Sequence, residues 1–477
     1  MTQAIFPARF CRQPMTIRRI VPLSLTLVVW LSGSMKADAA ESAGKPAEKP
    51  VSSLRGLLEL AGIDESYFRN LTDGQPLEAD AGETLVRILY RLPSVPVAKL
   101  EKWRHAPMEW SDVASRAASL RGELFGLKGL SREVRRVDLP AELARRLEFD
   151  HYYRVSLDLQ PGGHPAVVCT RQLPRAWPES GACRERIGAW GVLLKVTGGK
   201  GKDGAELAFA SPRLMWYPDR EAAGLGVEPS HVFLASLGMD VALLDDMRAR
   251  DRGELTSQDN EWFYQLLAAV GRARPDSFEQ QPSRAVPVAA LLTEPDSQRG
   301  RIFRLSGGLR RITRIEVTDA EVAERFGIDH YFELDVFVPL GDEVIRLGEP
   351  QAGRDVPTFS NRYPVTVCVR SLPPGLLPGQ DQREEIELQA VFARLWVFRS
   401  GFVSSFDPNQ LQPAPLFFGR EPRVVERRPM ISTPMARAFF AATVALLLLG
   451  GLALWRWQSS EAAVHRKIVR RWRRPGL

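Results

Sequence analysis

Histidine and cysteine are scarce in this 477-residue chain, six of one and four of the other. Their spacing matches no metal-ligand pattern, and four cysteines are too few for a disulfide scaffold. The chain also lacks Gly-x-Ser-x-Gly, His-Glu-x-x-His and any dinucleotide-binding fingerprint. The sequence therefore predicts no cofactor, no metal and no enzymatic activity. Paired carboxylates leave no local signature, which keeps an envelope hydrolase as an alternative.

Net charge is missing from most of the chain as well. The total is +7 with a pI near 9.3, yet residues 1–40 contribute +4 and residues 456–477 contribute +6, so residues 41–455 carry −3. The basicity sits at the two ends, where it orients a chain in a membrane, and the body has no global field to attract phosphate. Nucleic acid is a disfavoured partner on these grounds.

Two apolar runs stand beside those basic ends. Arg18 and Arg19 precede the apolar residues 20–31, and Ala37-Asp38-Ala39-Ala40 follows, the order of a secretory signal with a small-residue cleavage site. Residues 1–40 are expected to be that signal, with Met15 as an alternative start, and residues 41–52 a flexible lead-in rich in Ala, Lys, Pro and Ser. Residues 438–455 hold no charge and, at about 1.5 Å per residue, span about 27 Å as a helix. The tail 456–477 sets seven basic residues against Glu461. Short basic flanks stay cytoplasmic, so the expected topology is a single-pass cell-membrane protein with the body outside the cytoplasm and the tail inside.

Between those ends the sequence is written twice. Asp150-His151-Tyr152-Tyr153 returns as Asp329-His330-Tyr331-Phe332, and the Pro-x-x-Val-Cys segment at Cys169 returns at Cys368. Ala61-Gly62-Ile63-Asp64 answers Leu237-Gly238-Met239-Asp240, and Glu83 answers Glu261. The offset grows from 179 at Asp150 and Asp329 to 199 at Cys169 and Cys368, which places about 20 extra residues between Val338 and Tyr363. The expected organisation is a helical unit at 53–104, a β domain at 105–220, a linker with the second helical unit at 221–275, a second β domain at 276–420, and a juxtamembrane linker at 421–437.

Leu57, Leu58, Ala61, Phe68 and Leu71, then Leu85, Ile88, Leu89 and Leu92, recur at helical spacing, with Asp73-Gly74 and Pro76 breaking the pattern. The β domains open with Arg121-Gly122 to Gly129 and with Arg299-Gly300 to Gly307, each a long strand interrupted by glycine, where the backbone coils sharply. A short helix, a strand from His151 or His330, the cysteine strand, a proline-rich loop and two more strands follow. This order resembles the OB-fold, a five-stranded Greek-key barrel, over about 120 residues of each copy. The resemblance implies an α+β class with two OB-like barrels. A β-sandwich remains the alternative.

The Asp-His-Tyr-aromatic segments are candidate chemistry, because His and Asp share protons readily and Tyr donates a hydrogen bond. Neighbouring strand residues point to opposite faces, so Asp150 and His151 are expected not to converge. His151, Tyr153, His330 and Phe332 are the candidate binding face, joined by Lys200 and Lys202 of the glycine-rich run 198–204. That run lacks the Gly-Lys-Ser/Thr ending of a phosphate loop. Cys183, fourteen residues beyond Cys169, is a candidate disulfide partner for it in an oxidising compartment. The expected function is a binding or scaffolding module at the cell envelope with a protein partner. The alternative is an oligosaccharide- or nucleic-acid-binding protein using the barrel faces.

Overall fold

The structure, a computed structural model, describes residues 52–77, 82–198, 205–349, 355–425 and 433–472. The expected signal, most of the lead-in, Lys200 and Lys202 lie outside the described residues. The chain divides into a large compact unit ending at Val424 and a small one from Val425.

The large unit is α+β with two large sheets. Its strands are β1 Leu124–Asp138, β2 His151–Leu159, β3 His164–Thr170, β4 Gly181–Ala182, β5 Arg186–Thr197, β6 Glu206–Ser211 and β7 Leu214–Trp216. Then come β8 Arg284–Ala285, β9 Ile302–Glu316, β10 His330–Pro339, β11 Ile345–Arg346, β12 Thr358–Phe359, β13 Arg362–Val369, β14 Gly379–Gln380, β15 Glu385–Phe398, β16 Gln412–Gly419 and β17 Arg423–Val425. The first sheet runs β4-β1-β2-β3-β6-β5-β7 and the second β14-β9-β10-β13-β16-β15-β17, with β1 also paired to β5 and β9 to β15. The paired strands β3 and β6 are parallel, as are β13 and β16. Five strands were expected per sheet, and seven and eight are present, because two- and three-residue edge pieces add to the long ones. The extra residues of the second half contain the ribbon β11–β12.

Local irregularities recur at matching places. The first long strand skips a residue between Ser131 and Glu133, and β9 does so opposite Asp335 and Val336. A second bulge lies between Leu193 and Lys195 in β5 and between Phe392 and Arg394 in β15. Gly129 and Gly307 mark close strand approaches. A Cβ on Gly129 would lie 2.5 Å from the Asp158 carbonyl oxygen, and one on Gly307 2.6 Å from that of Phe337. Any side chain there would push two paired strands apart, which is why the sequence puts glycine inside a strand.

Period-two alternation separates two cores on either side of each sheet. In β3, Val168 joins one cluster with Val155 and Phe209 of the first sheet, while Val167 and Cys169 fall in another with the helical residues Leu58, Ile88 and Leu89. In β13, Val367 lies in the second sheet's enclosed cluster and Cys368 turns out against the helix Asn260–Arg272. Trp262 and Phe263 of that helix meet Phe418 of β16 edge-on at 6.2 and 4.8 Å. The first sheet's interior and this second helical packing form one continuous hydrophobic cluster, so the two halves share a core.

The small unit holds the helix Thr433–Trp472. Its segment Ala438–Trp457 is long and apolar enough to cross a membrane, two residues longer than expected, with its side chains exposed.

Candidate functional site

The strand starting at His151 places the first Asp-His-Tyr set. Asp150 stands just before β2, so strand alternation does not govern it, and its Oδ1 lies 2.6 Å from His151 Nδ1. Asp329 and His330 do the same at 2.8 Å. The expectation that each pair would diverge is thus corrected. His151 Nε2 lies 3.0 Å from the Tyr153 hydroxyl, with the rings edge-on at 5.0 Å. His330 meets Phe332 in the same edge-on way at 5.4 Å, where no hydroxyl exists.

Arginine and carboxylates complete the network. Arg136, opposite Tyr153 in the ladder, donates to Asp138 and Glu179 at 2.9 Å each. Its hydrogen bond, with a smaller one from Tyr153, holds the Glu179 carboxyl below its ordinary value. The His151 hydrogen bond does the same to Asp150. Burial raises the Tyr153 phenol. Arg314, opposite Phe332, pairs with Glu316 at 3.0 Å. The chain Asp150-His151-Tyr153-Glu179-Arg136 therefore passes through a phenol only 7% exposed whose oxygen is already hydrogen-bonded. Tyr153 was a candidate member of a binding face, and its ring lies in the core, because the strand carries it into the cluster beneath.

Other strand arginines are also neutralised. Arg132 pairs with Asp158 and Glu206, Arg311 with Asp335, and Arg362 with Glu385. Of the strand aromatics, Tyr152 and Tyr153 are buried, while Tyr331, Phe332 and Phe337 are half-buried.

The candidate disulfide is corrected. Cys169 and Cys183 are not joined in a disulfide and lie in different clusters, Cys169 with the first helical unit and Cys183 with first-sheet residues such as Val134 and Ile187. Burial pushes the Cys183 thiol up to about 11. Among the described residues no group of three or more His, Cys, Asp or Glu side chains is placed to hold a metal ion.

The sequence reading missed a polar clamp that recurs. Asp73, taken there as a helix breaker, accepts from the Val196 backbone N–H at 2.9 Å and pairs with Arg121 at 2.7 Å. Asp251 accepts from Leu395 N–H at 3.0 Å and pairs with Arg299 at 2.8 Å. Beyond each bulge a buried cation reaches back to the helical unit. Lys195 reaches the Pro76 carbonyl at 3.4 Å, and Arg394 reaches the Arg250 and Glu254 carbonyls and Asp259. The Asp-Gly at 73–74 and the repeated Arg-Gly before each long strand were its available signals.

No protein-family model and no curated protein matches the sequence. Among solved structures, the single-stranded DNA binding protein from Thermus aquaticus is similar at 9% identity, covering 65% of this chain and 97% of that one, with a TM-score of 0.14. Fission yeast Pot1 with ssDNA is similar at 10% identity over 64% and 85% of the two chains, with a TM-score of 0.15. Scores this low carry nothing over to this chain.

Proposed function

We propose that the chain is a non-enzymatic, membrane-anchored scaffold whose body is two copies of one module, each an OB-like barrel with a helical unit docked on its outer wall. The matching strand paths, the paired bulges, Gly129 with Gly307 and the two Asp-Arg clamps support the duplication. The apolar helix Ala438–Trp457 and the basic tail support an anchor with the body outside the cytoplasm.

One observation favours scaffolding over strand binding. An oligonucleotide needs free cations for its phosphates and exposed rings for its bases. Here the strand arginines 132, 136, 311, 314 and 362 face carboxylates, and the strand aromatics are buried or half-buried. The body's −3 charge adds no attraction.

The full chain in lipid nanodiscs, titrated into a labelled single-stranded oligonucleotide at about 150 mM salt, is expected to show no binding tighter than about 10⁻⁴ M. A micromolar, salt-sensitive isotherm overturns the scaffold in favour of nucleic-acid binding. Protease added to intact spheroplasts is expected to digest the body and leave a small fragment with the tail. Protection of the body refutes the topology.

A further inference from the structure

We propose that the groove where the two halves of the body meet is a docking site for an extended acidic segment of a partner protein. The inference rests on the scaffold reading and names the chemistry of what is scaffolded. Two neighbouring cavities of about 410 and 450 Å³ share Glu228 and Arg301, which are ion-paired at their common border. Together they form one groove, and each part lies within the size range of ligand sites, which favour junctions between domains.

Its walls divide by chemistry. Trp216, Val227, Val241 and Leu244 make an apolar wall at one end, and Pro229 and Pro282 line the other. Five arginines, 175, 248, 284, 299 and 301, line it against three carboxylates, Glu228, Asp245 and Asp296. The groove is thus locally positive on a body that carries −3. Arg248, Arg299 and Arg301 are consumed in ion pairs with those carboxylates. The guanidinium groups of Arg175 and Arg284, one toward each end, have no carboxylate partner among the described residues, while the Arg175 backbone N–H donates to Asp245 Oδ2 at 2.8 Å. The Arg284 guanidinium donates to Gln298 at 2.6 Å and sits over the Phe303 ring.

A backbone edge borders the same groove. The exposed two-residue strand β8 pairs with β9 alone, and Ser283 and Arg284 line the cavity beside it. An extended peptide added to such an edge gains main-chain hydrogen bonds, and its alternate side chains face one way. A segment alternating acidic and apolar residues places carboxylates toward Arg175 and Arg284 and apolar side chains against the Trp216 wall. A peptide brings backbone N–H and C=O groups for the open β8 edge, which a phosphodiester lacks. The geometry therefore favours peptide over nucleic acid.

The test uses the full chain in nanodiscs and fluorescein-labelled short peptides of alternating glutamate and leucine, glutamine and leucine, or lysine and leucine. The glutamate peptide is expected to bind saturably and at least tenfold tighter than the other two. R175E/R284E is expected to lose at least tenfold of that affinity while L377E, at an exposed position outside the groove, binds as the parent does. Should the double variant melt below the parent, the R175Q and R284Q single variants carry the test, each with a several-fold loss expected. Equal binding of the three peptides, no binding up to about 1 mM, or full binding by the arginine variants overturns the proposal. The labelled oligonucleotide, run in the same preparation, reports separately on the scaffold: a silent oligonucleotide with a silent peptide removes the groove and leaves the scaffold standing.

Discussion

The first and second sheets solve one docking problem with different equipment. Each holds a helical unit against its outer wall through an aspartate that caps a strand amide, an arginine just before the long strand, and a cation beyond a bulge. The first sheet uses Lys195, whose ammonium reaches the Pro76 carbonyl at 3.4 Å. The second uses Arg394, fully buried, stacked over Trp262 and shared between two carbonyls and Asp259. A guanidinium presents five donors in a fixed fork, whereas an ammonium is a compact point charge. The second junction is therefore the one whose geometry depends on its cation.

Arg394→Met sharpens that contrast most. Removing one member of a buried pair leaves Asp259 and two carbonyls short of a donor, and a cost of about 3–5 kcal/mol is expected. Lys195→Met removes a compact ammonium rather than a five-donor fork, and a smaller cost of about 1.5–3 kcal/mol is expected. Chemical denaturation of the two variants checks the difference, and equal losses break the comparison.

The glycine turns before the long strands come next. Gly122 and Gly300 have φ of +80° and +78°, where L side chains are strained. A Cβ on Gly122 would lie 3.1 Å from the Phe68 ring, but one on Gly300 would lie 2.7 Å from the His231 imidazole. That imidazole is fixed at both nitrogens, by the Glu228 N–H and the Arg299 carbonyl. Gly300→Ala is expected to destabilise by about 2–4 kcal/mol and Gly122→Ala by about 1–2 kcal/mol, read as thermal shifts.

A smaller effect separates Tyr153 from Phe332. Tyr153→Phe removes the hydroxyl bridging His151 and Glu179 and is expected to cost about 1 kcal/mol near neutral pH. Glu179 is held below its ordinary value of 4.5, so its share is present above that pH and is lost as the pH falls through the lowered value. The gap between parent and variant should therefore narrow in acid, which pH-resolved melting curves measure. The reciprocal Phe332→Tyr gains nothing comparable, because its neighbour Arg314 is satisfied by Glu316 alone.

The thiols have the least effect on stability. With Cys169 and Cys183 buried and unbridged, thiol labelling without denaturant at pH 8 is expected to be slow. The Cys183 thiol at about 11 stays protonated there. In denaturant both label without reductant, and a labelling deficit of two would restore the disulfide.

Periodicity and punctuation made the α+β class, the placement of the glycine-broken strands and the C-terminal apolar helix legible in the sequence. These are local signals, fixed by which side chains tolerate a helix, a strand or a positive φ. Val167, Val168 and Cys169 are all apolar, so the sequence did not say which of them faced the helices. Tertiary structure alone decided the rest. Asp73 meets Val196 across more than a hundred residues, Arg394 meets Arg250 and Asp259 likewise, and Asp150 turns back onto His151 because it stands just outside the strand. Ion pairing between strands took the arginines that composition left free, and the arginine-lined groove exists only where the halves meet. Such contacts depend on register and on the docking of distant segments, which no local pattern along the chain encodes.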